Sequence, residues 1–200
     1  MKKEFKPGTL LAPIPACLIS CGSMDKPNMF TAAWTGIICS EPAMTYVSIR
    51  PSRFSYSLIK ENMSFCINLV SESLTYAADW CGVKSGRDYD KFKEMKLHAE
   101  ASPKLGCPMV SESPVTLECR VTEIKPLGSH DMFMAEITGV YVSDGLIDKN
   151  GRIDFKKADL MAYSHGEFYQ LGKKIGKFGY SVRKKKNIPG KSKLKNETKK

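Results

Sequence analysis

Strict alternation between residues 29 and 39 constrains this chain more than any other feature. One set of alternate positions carries Phe30, Ala32, Trp34 and Ile38, and the other carries Met29, Thr31, Ala33 and Thr35. A period of two is the signature of a β-strand, whose successive side chains point to opposite faces. The first face is bulky and apolar, as the core of a barrel requires. The second is small and partly polar, which would let a flat ligand approach the backbone.

Other segments repeat the short-strand pattern. Residues 15–21 form an apolar run ending at Gly22, followed by a turn at Asp25-Lys26-Pro27-Asn28. Glu41-Pro42 interrupts the alternation. Residues 44–50 make the next strand, with Val47 and Ile49 on one side and Tyr46, Ser48 and Arg50 on the other, and Pro51 ends it. A short helix is expected over residues 55–62, a strand over 63–70, and a helix capped by Ser73 running to about Gly82. A polar connection follows over residues 84–96, then irregular chain around Pro103 and Pro108.

Residues 114–124 set Val115, Leu117, Cys119 and Val121 against Thr116, Glu118, Arg120 and Thr122. With a strand over 132–143 and the turn Gly128-Ser129-His130-Asp131, they predict an antiparallel hairpin. Asp148-Lys149-Asn150-Gly151 is a further turn, and beyond residue 156 the pattern is irregular and Gly-rich. The fold class is therefore mainly β, a β-barrel with short added helices rather than a doubly wound parallel sheet. No G-x-G-x-x-G follows a strand and no G-K-[ST] loop occurs, so neither common nucleotide-binding loop is indicated.

The net charge of +10 would suggest nucleic acid, but its distribution does not. Residues 181–200 hold nine Lys or Arg and one acid, leaving residues 1–180 a net charge of only +2. We therefore divide the chain into a domain over 1–182 and a basic tail over 183–200, expected to be disordered. No specific nucleic-acid partner is expected. No apolar run is long enough to span a bilayer, and the charged residues 1–7 do not lead into a secretory signal, so the cytoplasm is the expected location. Seven cysteines without a C-x-x-C pattern read as small packed hydrophobes. The three histidines, His98, His130 and His165, lack metal-ligand spacing, and no metal site is expected.

The stretch Ser48-Ile49-Arg50-Pro51-Ser52-Arg53-Phe54-Ser55-Tyr56-Ser57 carries the clearest chemistry. It leaves a strand, turns at Pro51 and enters a helix, whose N-terminus offers free N–H groups and the positive end of the helix dipole. Two forked guanidinium groups and several hydroxyls add donors suited to a terminal phosphate. By themselves these residues are equally compatible with serine caps and solvated arginines. No nucleophile–His–acid pattern is recognisable, so no side chain is assigned a catalytic role.

Four motifs taken together resemble the flavin reductase-like family with the FMN-binding split barrel, most nearly its flavoredoxin branch. They are Asn28-Met29-Phe30-Thr31-Ala32-Ala33-Trp34-Thr35, Ser48 to Ser55, Gly128-Ser129-His130-Asp131, and Gly166-Glu167-Phe168-Tyr169-Gln170-Leu171-Gly172 with Gly179-Tyr180-Ser181-Val182. The resemblance implies a Greek-key split barrel that forms a homodimer, with FMN near the subunit interface. It implies that Asn28, Thr31, Ala32, Ala33, Trp34 and Thr35 line the isoalloxazine ring, and that Arg50, Ser52, Arg53 and Ser55 hold the phosphate. Lys91 and Phe92 match a polar-aromatic segment near the flavin. His130 matches a loop histidine of a Gly-Asp-His motif, in which Ser129 replaces the acid. The implied activity is electron transfer from NAD(P)H through FMN to an acceptor. The alternative is an electron carrier of flavoredoxin type, served by a redox protein rather than by NAD(P)H.

Overall fold

A computed structural model of the chain describes residues 1–183. The first four strands form two hairpins, β1 (Cys17–Gly22) with β2 (Pro27–Ala32) and β3 (Thr35–Ser40) with β4 (Ala43–Ile49). Helix α1 (Phe54–Asn62) then returns the chain to β5 (Ser64–Asn68), which pairs with β1. Helices α2 (Thr75–Val83) and α3 (Lys91–Met95) and the small pair β6 (Ala99–Ala101) and β7 (Pro108–Val110) follow. The long hairpin β8 (Val115–Pro126) and β9 (Asp131–Val142) lies between β5 and β4. A last hairpin joins β10 (Met161–Ser164) and β11 (Glu167–Gln170).

The main sheet is antiparallel with strand order β2-β1-β5-β8-β9-β4-β3. Its two edge strands, β2 and β3, are separated in the chain only by Ala33 and Trp34. A link of two residues spans roughly 10 Å even when extended, so the sheet must curl until its edges nearly meet. The result is a barrel with one open seam, a split barrel of Greek-key type. The Ser48 amide donates to the Trp34 carbonyl at 2.9 Å, extending the β3–β4 ladder by one residue into the link.

The predicted strand over 29–39 is thus two strands. The bend at Ala33-Trp34 carries the chain from one sheet edge to the other, which alternation alone does not reveal. Phe30 and Ala32 pack on the barrel core as expected. Trp34 and Ile38 instead face outward, Ile38 at an irregularity in the β3–β4 register. Met29, assigned to the ligand face, is fully buried in a second core.

Alternation along β1 explains the two cores. Cys17, Ile19 and Cys21 point into the barrel, where they meet Val47, Ile49, Phe65, Ile67, Cys119, Val121 and Phe133, with Ile59 of α1 closing one end. Ala16 and Leu18 point outward and are covered by Ala78 and Cys81 of α2, Phe92 of α3 and Met161 of β10. A fully buried aromatic such as Phe133 contributes enough that truncation to Ala costs about 3–5 kcal/mol.

Several local expectations needed correction. Ser73 does not cap α2; it lies in a 3₁₀ turn, Glu72–Leu74, that precedes the helix. The polar connection over 84–96 contains α3, whose cap is Asp90, accepting from the Lys93 amide at 3.1 Å. The region beyond 156 includes the β10–β11 hairpin, which turns at His165 and Gly166 with φ of 51° and 89°, a two-residue turn of the kind that suits strand twist.

Glu118, on the polar face of the alternation over 114–124, is completely buried. It accepts from the amides of Lys104 at 3.0 Å and Leu105 at 2.6 Å and from the Tyr141 hydroxyl at 2.8 Å. Burial pushes its carboxyl up, yet the combined hydrogen bonds from Ser102, Tyr141, Leu105 and Lys104 outweigh that and hold it below the usual glutamate value. The carboxylate pins the irregular segment around residues 102–107 to the sheet. No helix among the described residues is long and apolar enough to cross a membrane. The predicted basic tail lies, from residue 184 onward, outside the described residues.

Candidate functional site

Two adjoining cavities open beside the seam. The larger, about 410 Å³, lies beneath the Ala33–Trp34 link. Small side chains flatten its walls: Ala16, Ala32 and Ala33 from the sheet, and Ala78 with Gly82 from α2. Aromatic rings of Phe30, Trp34, Tyr163 and Phe168 border it. The Thr31 hydroxyl donates to the Ala78 carbonyl, fastening β2 to α2 across the floor. Arg50, Arg53, Asp79 and His130 supply the charged groups and the imidazole.

The smaller cavity, about 190 Å³, shares Phe30, Thr31, Arg53 and Gly82 with the first and lies at the N-terminus of α1. It forms because Pro51 cannot continue β4, so the chain turns; the Arg53 amide donates to the Arg50 carbonyl at 2.9 Å. Arg53 is the N-cap residue, with extended backbone and no side-chain cap bond. The first turn of α1 carries no acid, so nothing there offsets the positive end of the helix dipole. Ser52, Arg53, Lys84, Arg87 and Lys91 converge on this pocket.

These cations are held in different ways. The Lys91 ammonium is buried and donates to the Cys81 carbonyl at 2.7 Å; burial lowers its pKa. Arg87 donates from Nη2 to the Ser52 carbonyl at 3.3 Å, tying the loop after α2 to the turn before α1. Gly86 sits in that loop because nothing larger fits. A Cβ there would lie 2.2 Å from Asn28 Oδ1 and 2.7 Å from the Phe54 ring.

The predicted site residues separate into three groups. Thr31, Ala32, Ala33, Trp34, Arg50, Arg53 and His130 line the larger cavity. Ser52, Ser55 and Lys91, again with Thr31 and Arg53, line the smaller one. Asn28, Thr35 and Phe92 line neither. Asn28 is buried behind the pocket and donates to the Ser55 hydroxyl at 2.8 Å, so it orients that residue. The Thr35 hydroxyl donates to the Tyr46 carbonyl at 2.5 Å, within the β3–β4 hairpin. Phe92 packs in the outer core.

His130 sits in the β8–β9 turn, its Nδ1 2.9 Å from the Ser129 hydroxyl. Burial, then the positive charges of Arg50 and Arg53, lower its pKa, so the imidazole is neutral at pH 7. Three buried thiols, those of Cys17, Cys21 and Cys81, are not poised for reaction. Burial pushes Cys17 and Cys21 up to about 12 and Cys81 to about 11. No group of metal-ligating side chains occurs among the described residues.

Sequence reasoning missed Ala78, Asp79 and Gly82 of α2, the loop residues Ser85, Gly86 and Arg87, and Tyr163 and Phe168 of the last hairpin. The loop's Lys84-Ser85-Gly86-Arg87 run was the one available signal, since it pairs donors with a glycine permitting close approach.

Comparison with known proteins agrees with this architecture. The family described as flavin reductase like domain matches residues 11–172. The fold superposes on flavoredoxin of Desulfovibrio vulgaris (Miyazaki F) with a TM-score of 0.85 and 30% identity, covering 92% of this chain and 100% of that one. An uncharacterized protein of Archaeoglobus fulgidus is 32% identical over 157 residues, 78% of this chain and 87% of its own length. An NADPH-flavin oxidoreductase of Streptomyces viridifaciens is 25% identical over 76% of this chain and 79% of its own. With a split barrel whose seam borders a flat cavity and a cationic pocket, and with a domain match over most of its length, this chain belongs to the flavin reductase-like family.

Proposed function

We propose that residues 1–182 form an FMN-binding domain that passes electrons from NAD(P)H through the flavin to an acceptor. The observation that carries this reading is the union of the two cavities, a flat slot walled by alanine and glycine that opens into a pocket of cations at a helix N-terminus. The donor set fits the group. A tricyclic ring needs a slot without bulky side chains, and a phosphate monoester needs convergent N–H donors and positive charge.

In this reading Ala32, Ala33, Ala78 and Gly82 hold the ring, while Ser52, Arg53, Arg87 and Lys91 hold the phosphate. Bound FMN supplies the redox chemistry, accepting and releasing two electrons together or one at a time. The chain orients the ring, excludes water from its inner face through Phe30 and Phe168, and places a neutral imidazole, His130, at the rim. No protein group has to act as nucleophile.

The likeness to an NADPH-flavin oxidoreductase supports direct use of a nicotinamide. The likeness to flavoredoxin, with full coverage of that chain, supports a carrier instead. Visible absorption of the FMN-loaded protein, recorded without oxygen before and after adding NADH or NADPH, separates them. Bleaching is expected for the reductase, and an unchanged spectrum would leave the carrier.

The functional unit is a homodimer, in which a second copy covers exposed apolar residues of β3 such as Ile37. Sedimentation of the flavin-loaded protein as a monomer would refute that. Seven free cysteines suit a reducing cytoplasm.

A further inference from the structure

Arg50 stands apart from the other cations of the site. It lines the larger cavity together with His130, whereas Lys84, Arg87 and Lys91 line the pocket at α1 and Arg53 stands where the two meet. Its guanidinium is exposed on the turn after β4. The ion pair among the described residues joins His98 and Glu112, so no carboxylate neutralises Arg50.

Charge balance makes this separation informative. The joined cavities are lined by five cations, Arg50, Arg53, Lys84, Arg87 and Lys91, and by one acid, Asp79. A phosphate monoester carries about −1.5 to −2 at neutral pH. Flavin phosphate therefore leaves about two positive charges unmatched. Arg53, Arg87 and Lys91 already surround the pocket that suits this phosphate, and Lys84 lies over the Tyr89 ring, which leaves Arg50, exposed at the ring cavity, as the cation with neither an anion nor an aromatic partner assigned to it.

We propose that Arg50 binds a phosphate group of the second substrate, a phosphorylated nicotinamide hydride donor, and so determines affinity for that donor rather than for the flavin. This rests on the reductase reading above. An arginine is suited to the task because its planar fork pairs with phosphate oxygens through two hydrogen bonds. The phosphate could be the pyrophosphate common to NADH and NADPH or the additional 2′-phosphate of NADPH.

The test is Arg50→Gln in the full chain, measured in two ways, with Arg50→Lys beside it. FMN affinity, followed by quenching of flavin fluorescence, is expected to fall far less than in Arg53→Ala. KM for the donor is expected to rise about 10- to 100-fold with a smaller change in kcat, as loss of a charge-assisted contact predicts. Arg50→Lys should recover part of the loss, which a purely packing role would not allow. An equal rise for NADH and NADPH assigns the contact to the pyrophosphate, and a rise confined to NADPH assigns it to the 2′-phosphate. Unchanged KM for both donors would overturn the proposal, as would an FMN loss matching that of Arg53→Ala. Failure of either donor to bleach the unaltered protein would instead overturn the reductase reading, and this proposal with it.

Discussion

The two ends of the cavity are assembled differently. The pocket at α1 draws Ser52, Arg53, Phe54 and Ser55 from one turn of chain and Lys84 to Arg87 from one loop after α2, with Lys91 of α3 and the ends of β2 and α2 behind them. The slot beneath Ala33 and Trp34 gathers residues from β2, β4, α2, the β8–β9 turn and the last hairpin. A donor set drawn mainly from two short segments needs little more than those segments to fold. A site built from five elements depends on the packing of the whole barrel. Anion recognition is therefore local here, while recognition of the flat ring is a tertiary property.

Three substitutions test this contrast. Arg53→Ala should have the largest effect on ligand binding, weakening FMN about 100-fold while leaving riboflavin almost unaffected, since charge-assisted hydrogen bonds are worth about 1.5–3 kcal/mol. Equal losses for both ligands in parallel titrations would erase the division between the two ends. Ala33→Leu should weaken FMN and riboflavin alike, roughly tenfold, because the added carbons occupy the slot and not the anion pocket. A selective loss of FMN in that variant would place the ring elsewhere.

Glu118→Gln, remote from both cavities, should leave both affinities unchanged and lower stability by about 1–2 kcal/mol in urea unfolding. Its pH dependence has a definite sign. The folded-state pKa of Glu118 is depressed below its ordinary value of 4.5, so its contribution is fully present above that value. It is lost as pH falls through the folded value. The stability gap between the two proteins should narrow on acidification below pH 4.5, and a gap that widened would contradict the buried carboxylate network.

Legibility followed the same division. Residues 48–57 signalled an anion pocket because strand end, proline turn, arginines and helix start are contiguous. The strands and the long hairpin were visible through alternation, and the resemblance supplied closure of the barrel. Tyr163, Phe168, Ala78 and Gly82 were not visible, because nothing in their own neighbourhoods distinguishes a cavity wall from ordinary packing. Arg50 and Arg53 are three residues apart and both reach the larger cavity, but only Arg53 also reaches the pocket at α1, a difference that sequence spacing does not show. Glu118 kept the alternation of a solvent-facing residue. Only the segment around 102–107, folding back over that face, makes it interior, and such a return has no local signature.

The link between the sheet edges has a mechanical consequence. Ala33 and Trp34 are both the strap that holds the seam together and part of the slot wall. A planar guest seated there would act as a clasp: separating β2 from β3 would require the guest to slip, and releasing the guest would require the strap to shift. Breathing of the barrel and escape of the flavin would then be one motion. Amide exchange in β2 and β3 should slow together when flavin is bound, while the β6–β7 pair should exchange at an unchanged rate.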